Sequence, residues 1–255
     1  MTEENGFKVA LITGAAKRVG AAIARRLHRE GFIIAIHYRA SKTEAESLAK
    51  ELNAIRTNSA AIFQADLLVT FALDVLVQAV VARFGRLDAL VNNASTFYGG
   101  ALEQADEASW NELIGSNLKA PLFLCKAAAS ELRRVNGSIV NITDIHAERP
   151  MANYVIYNVA KAGLRGLTHA LARDLAPTEA GGAYVRVNAV APGPIDWPDD
   201  DQIDAAEKAR ILAHVPLKRE GGVEQIAEAV KYLVCDASYV TGQTINVDGG
   251  RSIAI

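Results

Sequence analysis

One pair of side chains in this sequence has the spacing to carry out acid-base chemistry. Tyr157 and Lys161 lie four residues apart in the segment Tyr-Asn-Val-Ala-Lys, so on a helix they share one face. A phenol with a pKa near ~10 is a weak acid at neutral pH, and a nearby ammonium group lowers that pKa by favouring the phenolate. The pair is a candidate proton donor, and the alternative is an ordinary exposed helix pair.

A glycine-rich turn near the amino terminus offers a second kind of chemistry. Thr13-Gly14-Ala15-Ala16-Lys17-Arg18-Val19-Gly20 follows an apolar run and opens directly into a helical pattern. Glycines there let the backbone approach a pyrophosphate, whose charge a helix amino terminus stabilises. Arg18 stands where a middle glycine is common, and a tight turn without a ligand is the alternative. The predicted cofactor contacts are Gly14, Lys17, Arg18, Val19 and Gly20.

Polar residues also follow two later apolar runs. Asp66 and Leu67 come after one of them, and Asn93, Ala94 and Ser95 come after the next. In an open parallel sheet these positions lie at the carboxyl edge, where ligands bind. We expect them to contact the adenosine part of a dinucleotide, although each motif alone could cap a helix or close a turn.

The second predicted strand indicates which dinucleotide binds. NAD-binding proteins usually end this strand with an acid that hydrogen-bonds the ribose 2′-hydroxyl, but here no acid occurs before Glu44. Tyr38, Arg39 and Ser41 stand at the strand end instead. Because an arginine can bind a phosphate through paired hydrogen bonds, this end suits the 2′-phosphate of NADPH.

The elements that must position these residues alternate between strands and helices, which predicts an α/β fold with a parallel sheet. Strands are predicted at 8–13, 32–37, 60–65, 87–92, 137–142, 184–190 and 243–247. Helices are predicted at 18–30, 43–54, 70–84, 106–132, 154–175 and 223–234. We expect one domain over 1–255, with the long irregular stretch 191–214 as a substrate lid or a solvated excursion.

Composition excludes several other classes of protein. The 255 residues carry a formal net charge of −2 without a basic stripe, which argues against a nucleic-acid partner. Cys125 and Cys235 form neither a disulfide framework nor a metal-ligand spacing, and the histidines add no metal site. Apolar runs are too short to cross a bilayer and the amino terminus is polar, so we expect a cytoplasmic protein without a membrane partner.

Together these motifs resemble the short-chain dehydrogenase/reductase family over nearly the whole chain. The matching pieces are Thr13-Gly14…Gly20, Asp66, Asn92-Asn93-Ala94, Asn117, Tyr157…Lys161, Pro192-Gly193 and the segment from Val240 to Gly250. The resemblance implies a doubly wound Rossmann-type domain with strand order 3-2-1-4-5-6-7. It makes Tyr157 the proton donor and Lys161 a ligand of the nicotinamide ribose, while Asn117 supports a water relay to the lysine.

The resemblance further implies cofactor contacts at Pro192, Gly193 and Ile195. It also implies a homotetramer, with the tail 240–255 near a subunit interface.

One position departs from the family pattern. Thirteen residues before the tyrosine the family usually carries a serine, and here Asp144 occupies that position. An ionised carboxylate only accepts hydrogen bonds, so Asp144 suits a substrate that presents N–H groups, or it is itself a proton source. The neighbouring Thr143 offers a hydroxyl that keeps ketone chemistry open. The alternative is an aspartate that merely caps the next segment.

Within the family, Asp144, the arginine-containing turn and His37-Tyr38-Arg39 resemble pteridine reductases. The segment from Asn92 to Tyr98 looks like the stretch of those enzymes whose serine and aromatic residue line the pterin site. By this resemblance Ser95 and Phe97 contact a pterin, with Phe97 stacked on one face, and Trp197 is a further wall. The alternative for Phe97 is an ordinary core aromatic.

We therefore expect an NADPH-dependent reductase that takes a dihydropterin to the tetrahydropterin. A reductase of ketones or 3-oxoacyl thioesters is the first alternative, and a non-catalytic NADPH-binding regulatory protein is the second.

Overall fold

A single seven-stranded parallel sheet forms the centre of the structure, a computed structural model that describes residues 6–197 and 204–254. Its order is β3-β2-β1-β4-β5-β6-β7, as expected. The strands are Val9–Ile12 (β1), Ile33–Tyr38 (β2), Ala60–Gln64 (β3), Ala89–Asn92 (β4), Ser138–Ile142 (β5), Arg186–Pro192 (β6) and Thr244–Val247 (β7).

Helices cover both faces of the sheet. They are Arg18–Arg29 (α1), Lys42–Ile55 (α2), Thr70–Phe84 (α3), Glu107–Ile114 (α4), Ala120–Arg134 (α5), Val155–Asp174 (α6), Ala205–Ala213 (α7) and Val223–Lys231 (α8). One face packs against α1, α2 and α8, and the other packs mainly against α3 and α5. Because β1, β2, β4 and β5 are buried throughout, their sequences read as apolar runs rather than alternating patterns.

Several elements differ from the sequence prediction. The helix expected at 106–132 consists of α4 and α5 joined by a π-helical turn, Gly115–Lys119. The sixth strand begins two residues later than predicted, because its pairing with β5 starts at Arg186 opposite Ser138.

The stretch 191–214 is not irregular throughout, which corrects the prediction. It contains α7, whose first turn is capped by the Asp204 carboxylate accepting the Glu207 N–H at 2.8 Å. Alanine, glutamate, lysine and arginine dominate that helix, and these residues have high helix propensity. The acidic residues predicted within the lid at 199–201 lie outside the described residues.

Within residues 6–197 and 204–254, no helix combines the length and apolar character that a bilayer crossing requires.

Candidate active site

The ends of β4 and β5 are fixed by a buried chain of amide and hydroxyl groups. Asn92 donates to the Asn141 side-chain oxygen at 2.8 Å, and Asn141 donates to the Thr168 hydroxyl on α6 at 3.0 Å. These bonds join two strands to the helix that carries Tyr157 and Lys161. At the start of that helix, the Asn158 side chain bonds to the backbone N–H and C=O of Met151 and anchors the preceding loop.

Three candidate catalytic side chains meet at the carboxyl edge of the sheet. The Tyr157 hydroxyl donates to Asp144 Oδ2 at 2.7 Å. Lys161 Nζ donates to the Ile142 carbonyl at the end of β5 at 3.0 Å and lies 5.6 Å from the centre of the Tyr157 ring. The predicted trio of tyrosine, lysine and aspartate is therefore brought together.

Electrostatics at this trio correct one expectation. Burial raises the pKa of Tyr157 well above its usual value, and the adjacent Asp144 carboxylate raises it further. The net shift is opposite to the expected lowering, because the phenol is only 4% exposed and its hydroxyl donates to Asp144. Burial also lowers the pKa of Lys161 to about 8, so this lysine is mostly protonated at pH 7.

Asp144 caps the next segment, which the sequence left open as the alternative, and it also accepts from Tyr157; its contact with substrate N–H groups stays a prediction. Its Oδ1 accepts the His146 N–H at 2.8 Å and caps the short helix Ile145–Ala147, while Oδ2 accepts the Tyr157 proton. The cap orients the carboxylate toward the phenol. The neighbouring Thr143 is buried and donates its hydroxyl to the Val190 carbonyl at 3.0 Å. The Thr143 hydroxyl therefore donates to β6, and it does not replace the serine that the family usually carries at position 144.

Asn117 lies in the π-helical turn and is fully buried. Its amide group donates to the carbonyls of Thr96 and Leu113 at 2.9 and 3.0 Å, and its oxygen accepts the Ser95 hydroxyl at 2.7 Å. Among the described residues its hydrogen bonds fix the segment at 95–96. No hydrogen bond to Lys161 is described, and the expected water relay stays a prediction.

An aromatic group stands beside the phenol. Phe97 stacks on Tyr154, with ring centres 5.1 Å apart and planes 19° apart, and meets the Tyr157 ring edge-on at 4.9 Å. Phe97 is 55% exposed, so it is not an ordinary core aromatic. The structure thus places a half-exposed aromatic ring next to the candidate proton donor. Trp197, also predicted to line the substrate site, lies beside Lys208 of α7, with Nζ 6.0 Å from its ring centre.

The glycine-rich turn is tied to the end of β4. The Thr13 hydroxyl accepts the N–H groups of Asn93 and Ala94 at 2.9 and 3.0 Å, and the Asn93 amide donates to the Thr13 carbonyl at 2.8 Å. Gly14 has a φ of +60°, and a Cβ at Gly20 would lie 2.3 Å from the Gly14 carbonyl oxygen. Only glycine fits at Gly20, and the turn leads directly into the amino terminus of α1, the kind of helix end that can bind a phosphate.

His37 is a positioning residue whose role the sequence did not reveal. Its ring spans the gap between β2 and the turn, since Nδ1 accepts the Gly14 N–H at 3.1 Å and Nε2 contacts the Ala65 carbonyl at 3.2 Å. Burial lowers the pKa of His37 to about 4, so the ring is neutral and can accept at one nitrogen while donating at the other. In the sequence, the one sign of this role is a histidine near the end of an otherwise apolar strand.

The other predicted cofactor residues surround this turn. Arg39 and Ser41 stand at the end of β2, where Arg39 is exposed and its carbonyl accepts from Gln64, while Tyr38 is buried. Asp66 accepts the Leu68 N–H at 3.0 Å, next to the buried Leu67. These positions fit the adenosine end of a dinucleotide.

Two positively charged side chains of the glycine-rich turn interact with protein groups in this structure. Lys17 pairs with Glu44 at 2.5 Å, and Arg18 donates to the Asp196 carbonyl. Val19 packs partly buried in the core beside them. Arg18 therefore connects the turn to the segment after β6.

Pro192 ends β6, and the Gly193 N–H donates to the Val247 carbonyl at 3.0 Å. A Cβ at Gly193 would lie 2.6 Å from the Asp248 Cβ, so the close approach of the two chain segments requires glycine. Ile195 forms an isolated bridge with Gly221. The described part of the predicted lid thus begins at the same sheet edge as Tyr157.

Comparisons with known proteins agree with this arrangement. Residues 14–252 match a family model described as Enoyl-(Acyl carrier protein) reductase. The chain belongs to the short-chain dehydrogenase/reductase family, and its class is therefore that of an oxidoreductase.

Two kinds of relative are similar to equal degrees. Pteridine reductase 1 of Leishmania tarentolae is 38% identical, with 99% of each chain aligned. The 3-oxoacyl-[acyl-carrier-protein] reductase FabG of Staphylococcus aureus is also 38% identical, over 95% of this chain and 97% of the relative. An uncharacterized oxidoreductase of Methylorubrum extorquens is 34% identical. Overall identity does not distinguish the two substrate classes.

Proposed function

We propose that this chain is an NADPH-dependent reductase of a pterin, which takes a dihydropterin to the tetrahydropterin. The observation that carries the proposal is the 2.7 Å hydrogen bond from Tyr157 to Asp144, next to the exposed ring of Phe97. A pterin is flat and aromatic and carries N–H groups at its edge. It therefore needs a stacking surface and a hydrogen-bond acceptor, which Phe97 and Asp144 offer.

The proton chemistry follows from the pKa shifts of the site. Because the pKa of Tyr157 is raised, the phenol holds its proton at neutral pH and can deliver it to the substrate nitrogen. Asp144 accepts from the phenol, orients that hydroxyl and offers an acceptor to substrate N–H groups. NADPH supplies the hydride when it is bound.

Lys161 has two proposed roles in this reaction. Its ammonium, which is mostly protonated because the pKa is about 8, lies close enough to stabilise the phenolate that proton transfer leaves. By resemblance it also holds the nicotinamide ribose. Asn117 positions Ser95 at the substrate side, and the water relay to the lysine remains part of the proposal.

The family alternative, reduction of a 3-oxoacyl thioester, is supported by the equally similar FabG relatives. That chemistry needs a hydroxyl or N–H donor to polarise the ketone oxygen. Asp144 occupies the usual serine position and Thr143 donates to Val190 instead. The site therefore favours the pterin.

The proposal extends to the whole chain. We propose one NADP-binding domain over residues 1–255, with 191–214 as its substrate lid, working in the cytoplasm as a homotetramer. The partly exposed edge strand β7 and the exposed Ile253 and Tyr239 support a subunit contact near the tail 240–255.

Exchanging Arg39 for aspartate should erode or reverse a preference for NADPH over NADH. The substitution removes a charge-assisted contact to the 2′-phosphate, which costs about 1.5–3 kcal/mol, or roughly ten- to a hundredfold in kcat/KM. The measurement is kcat/KM for both cofactors, with Arg173→Asp as a control of equal charge change on α6. Equal use of both cofactors by the unmodified protein would refute the proposed role of Arg39.

Truncating Phe97 to alanine should raise the KM for a dihydropterin several-fold, because stacking contributes about 0.5–1.5 kcal/mol beyond the buried area. Phe97→Trp keeps an aromatic face and should stay near the unmodified value. Steady-state kinetics with NADPH in excess measures both variants. An unchanged KM in Phe97→Ala would remove this ring from the substrate site.

A further inference from the structure

A second cleft lies on the opposite side of the molecule from Tyr157. The last turns of α1 and α2 enclose a cavity of about 360 Å³, close to Phe32, which directly precedes β2. The active-site residues follow the other ends of the strands. A six-residue strand such as β2 is roughly 20 Å long, so the two sites are separate.

The cavity carries more positive than negative charge. Three arginines and one glutamate line it: Arg25, Arg29, Arg56 and Glu51. Arg25 donates two hydrogen bonds to the Glu51 carboxylate, from Nε to Oε1 at 2.8 Å and from Nη2 to Oε2 at 2.7 Å. The one carboxylate that lines the cavity is thus hydrogen-bonded to Arg25, and the charge of Arg29 also lowers the pKa of Glu51; the lining still holds two more guanidinium groups than carboxylates.

Neither Arg29 nor Arg56 forms an ion pair within the described part of the chain. Arg29 lies exposed in the last turn of α1 without a described ion pair. Arg56 donates to the Phe32 carbonyl and lies over the Phe7 ring at 5.2 Å, but its buried Nε has no acceptor. A buried N–H without an acceptor is uncommon in folded proteins. An anion in the cavity would balance both charges.

The buried histidine of the cavity is neutral. His28 is 3% exposed, and its Nε2 lies 2.7 Å from the Ser59 hydroxyl. Because Ser59 donates its own proton to the Leu52 or Arg56 carbonyl, His28 must donate through Nε2, which leaves Nδ1 without a proton. Burial and the charge of Arg56 lower the pKa of His28, in agreement with a neutral ring. The positive charge of the cavity thus comes from the arginines.

The remaining lining is apolar. Leu52 and Ile55 face the cavity from α2, and Ile55 is 71% exposed. Glu51 and Ile55 lie four residues apart, as do Arg25 and Arg29 on the facing helix, so each helix presents one side to the cleft. A ligand held here can meet both guanidinium groups and hydrocarbon.

We propose that this cavity binds a phosphate monoester, with the phosphate between Arg29 and Arg56 and its organic group against Leu52 and Ile55. The site does not depend on the proposed reductase activity, since none of its residues belongs to the active site. Guanidinium groups bind phosphate through charge-assisted hydrogen bonds, which suits two arginines without carboxylate partners.

Isothermal titration of the full chain with phenyl phosphate and with inorganic phosphate, at ionic strength held constant with chloride, tests the proposal. We expect phenyl phosphate to bind several-fold more tightly than inorganic phosphate. Arg29→Gln should weaken both by about tenfold or more, since it removes a charge-assisted contact. Arg173→Gln, in the last turn of α6, is the matched control and should bind normally.

Two further measurements locate the site. Ile55→Ser should remove the advantage of phenyl phosphate over inorganic phosphate while leaving the latter unchanged. Titration of the unmodified chain saturated with NADPH should still show the binding, because NADPH then occupies the dinucleotide end. Absence of binding to the unmodified chain, normal binding by Arg29→Gln, or loss of binding in saturating NADPH would each overturn the proposal. Equal affinity for the two ligands would overturn the assignment to a monoester.

Discussion

Replacing Tyr157 with phenylalanine should lower kcat for a dihydropterin by about 10²–10⁴-fold, which is the usual contribution of a positioned acid or base. The variant loses only the hydroxyl that donates to Asp144 at 2.7 Å. The ring keeps its edge-on contact with Phe97, so the fold and the cofactor site should persist. Single-turnover and steady-state rates measure the loss, and NADPH fluorescence titration should show nearly unchanged cofactor affinity.

Tyr154→Phe is the matched control, because it removes a hydroxyl from the neighbouring ring and leaves the stack with Phe97 in place. This variant should retain most of the activity. If Tyr157→Phe kept more than half of the unmodified rate, Tyr157 would not be the proton donor and the proposed mechanism would fail.

Changing Asp144 to serine should cut pterin reduction sharply, by about 10²-fold, while leaving reduction of a 3-oxoacyl thioester unchanged or improved. The substitution restores the usual family residue and replaces the carboxylate that accepts from substrate N–H groups with a shorter hydroxyl, a weaker acceptor that can also donate. Losing the partner of a polar group in a site built for it costs roughly 1–3 kcal/mol, and the lost orientation of the Tyr157 hydroxyl adds to that. Steady-state kinetics of both substrates with NADPH gives the comparison.

Asp144→Asn removes the charge and keeps the cap, since the amide oxygen still accepts from the His146 N–H while the amide nitrogen takes the place of Oδ2 beside the phenol. Removal of the negative charge should lower the pKa of Tyr157, because that charge raises it now. A spectroscopic titration of the tyrosine should detect a lower pKa in this variant. Undiminished pterin reduction in Asp144→Ser would contradict the role proposed for the carboxylate.

Much of the fold could be predicted because parallel strands that are buried on both faces have continuous apolar sequences, as β1 and β2 do. The position of the glycine-rich turn could also be predicted, since close backbone contacts require glycine at positions 14 and 20. The order of the strands came from the family resemblance. Helix α7 was missed because its short sequence has propensity but little apolar periodicity, and its cap lies next to a polar stretch.

Details of the site were harder to predict because they depend on contacts between distant segments. Spacing alone placed Tyr157 and Lys161 on one face, yet the pKa of the phenol depends on burial and on Asp144, thirteen residues away. His37 could not be assigned because its partners, Gly14 and Ala65, belong to other strand ends. The sequence likewise does not show that the Thr143 hydroxyl donates to Val190 of β6, which is why Thr143 was a candidate for the missing serine hydroxyl.

The most direct test of the central claim is a steady-state comparison of dihydropterins, dihydrofolate and a 3-oxoacyl thioester with NADPH as reductant. We expect turnover of a dihydropterin to the tetrahydropterin, with kcat/KM well above that for the thioester. Efficient reduction of the thioester together with no turnover of any pterin would contradict the proposed substrate, and the oxidoreductase assignment alone would stand.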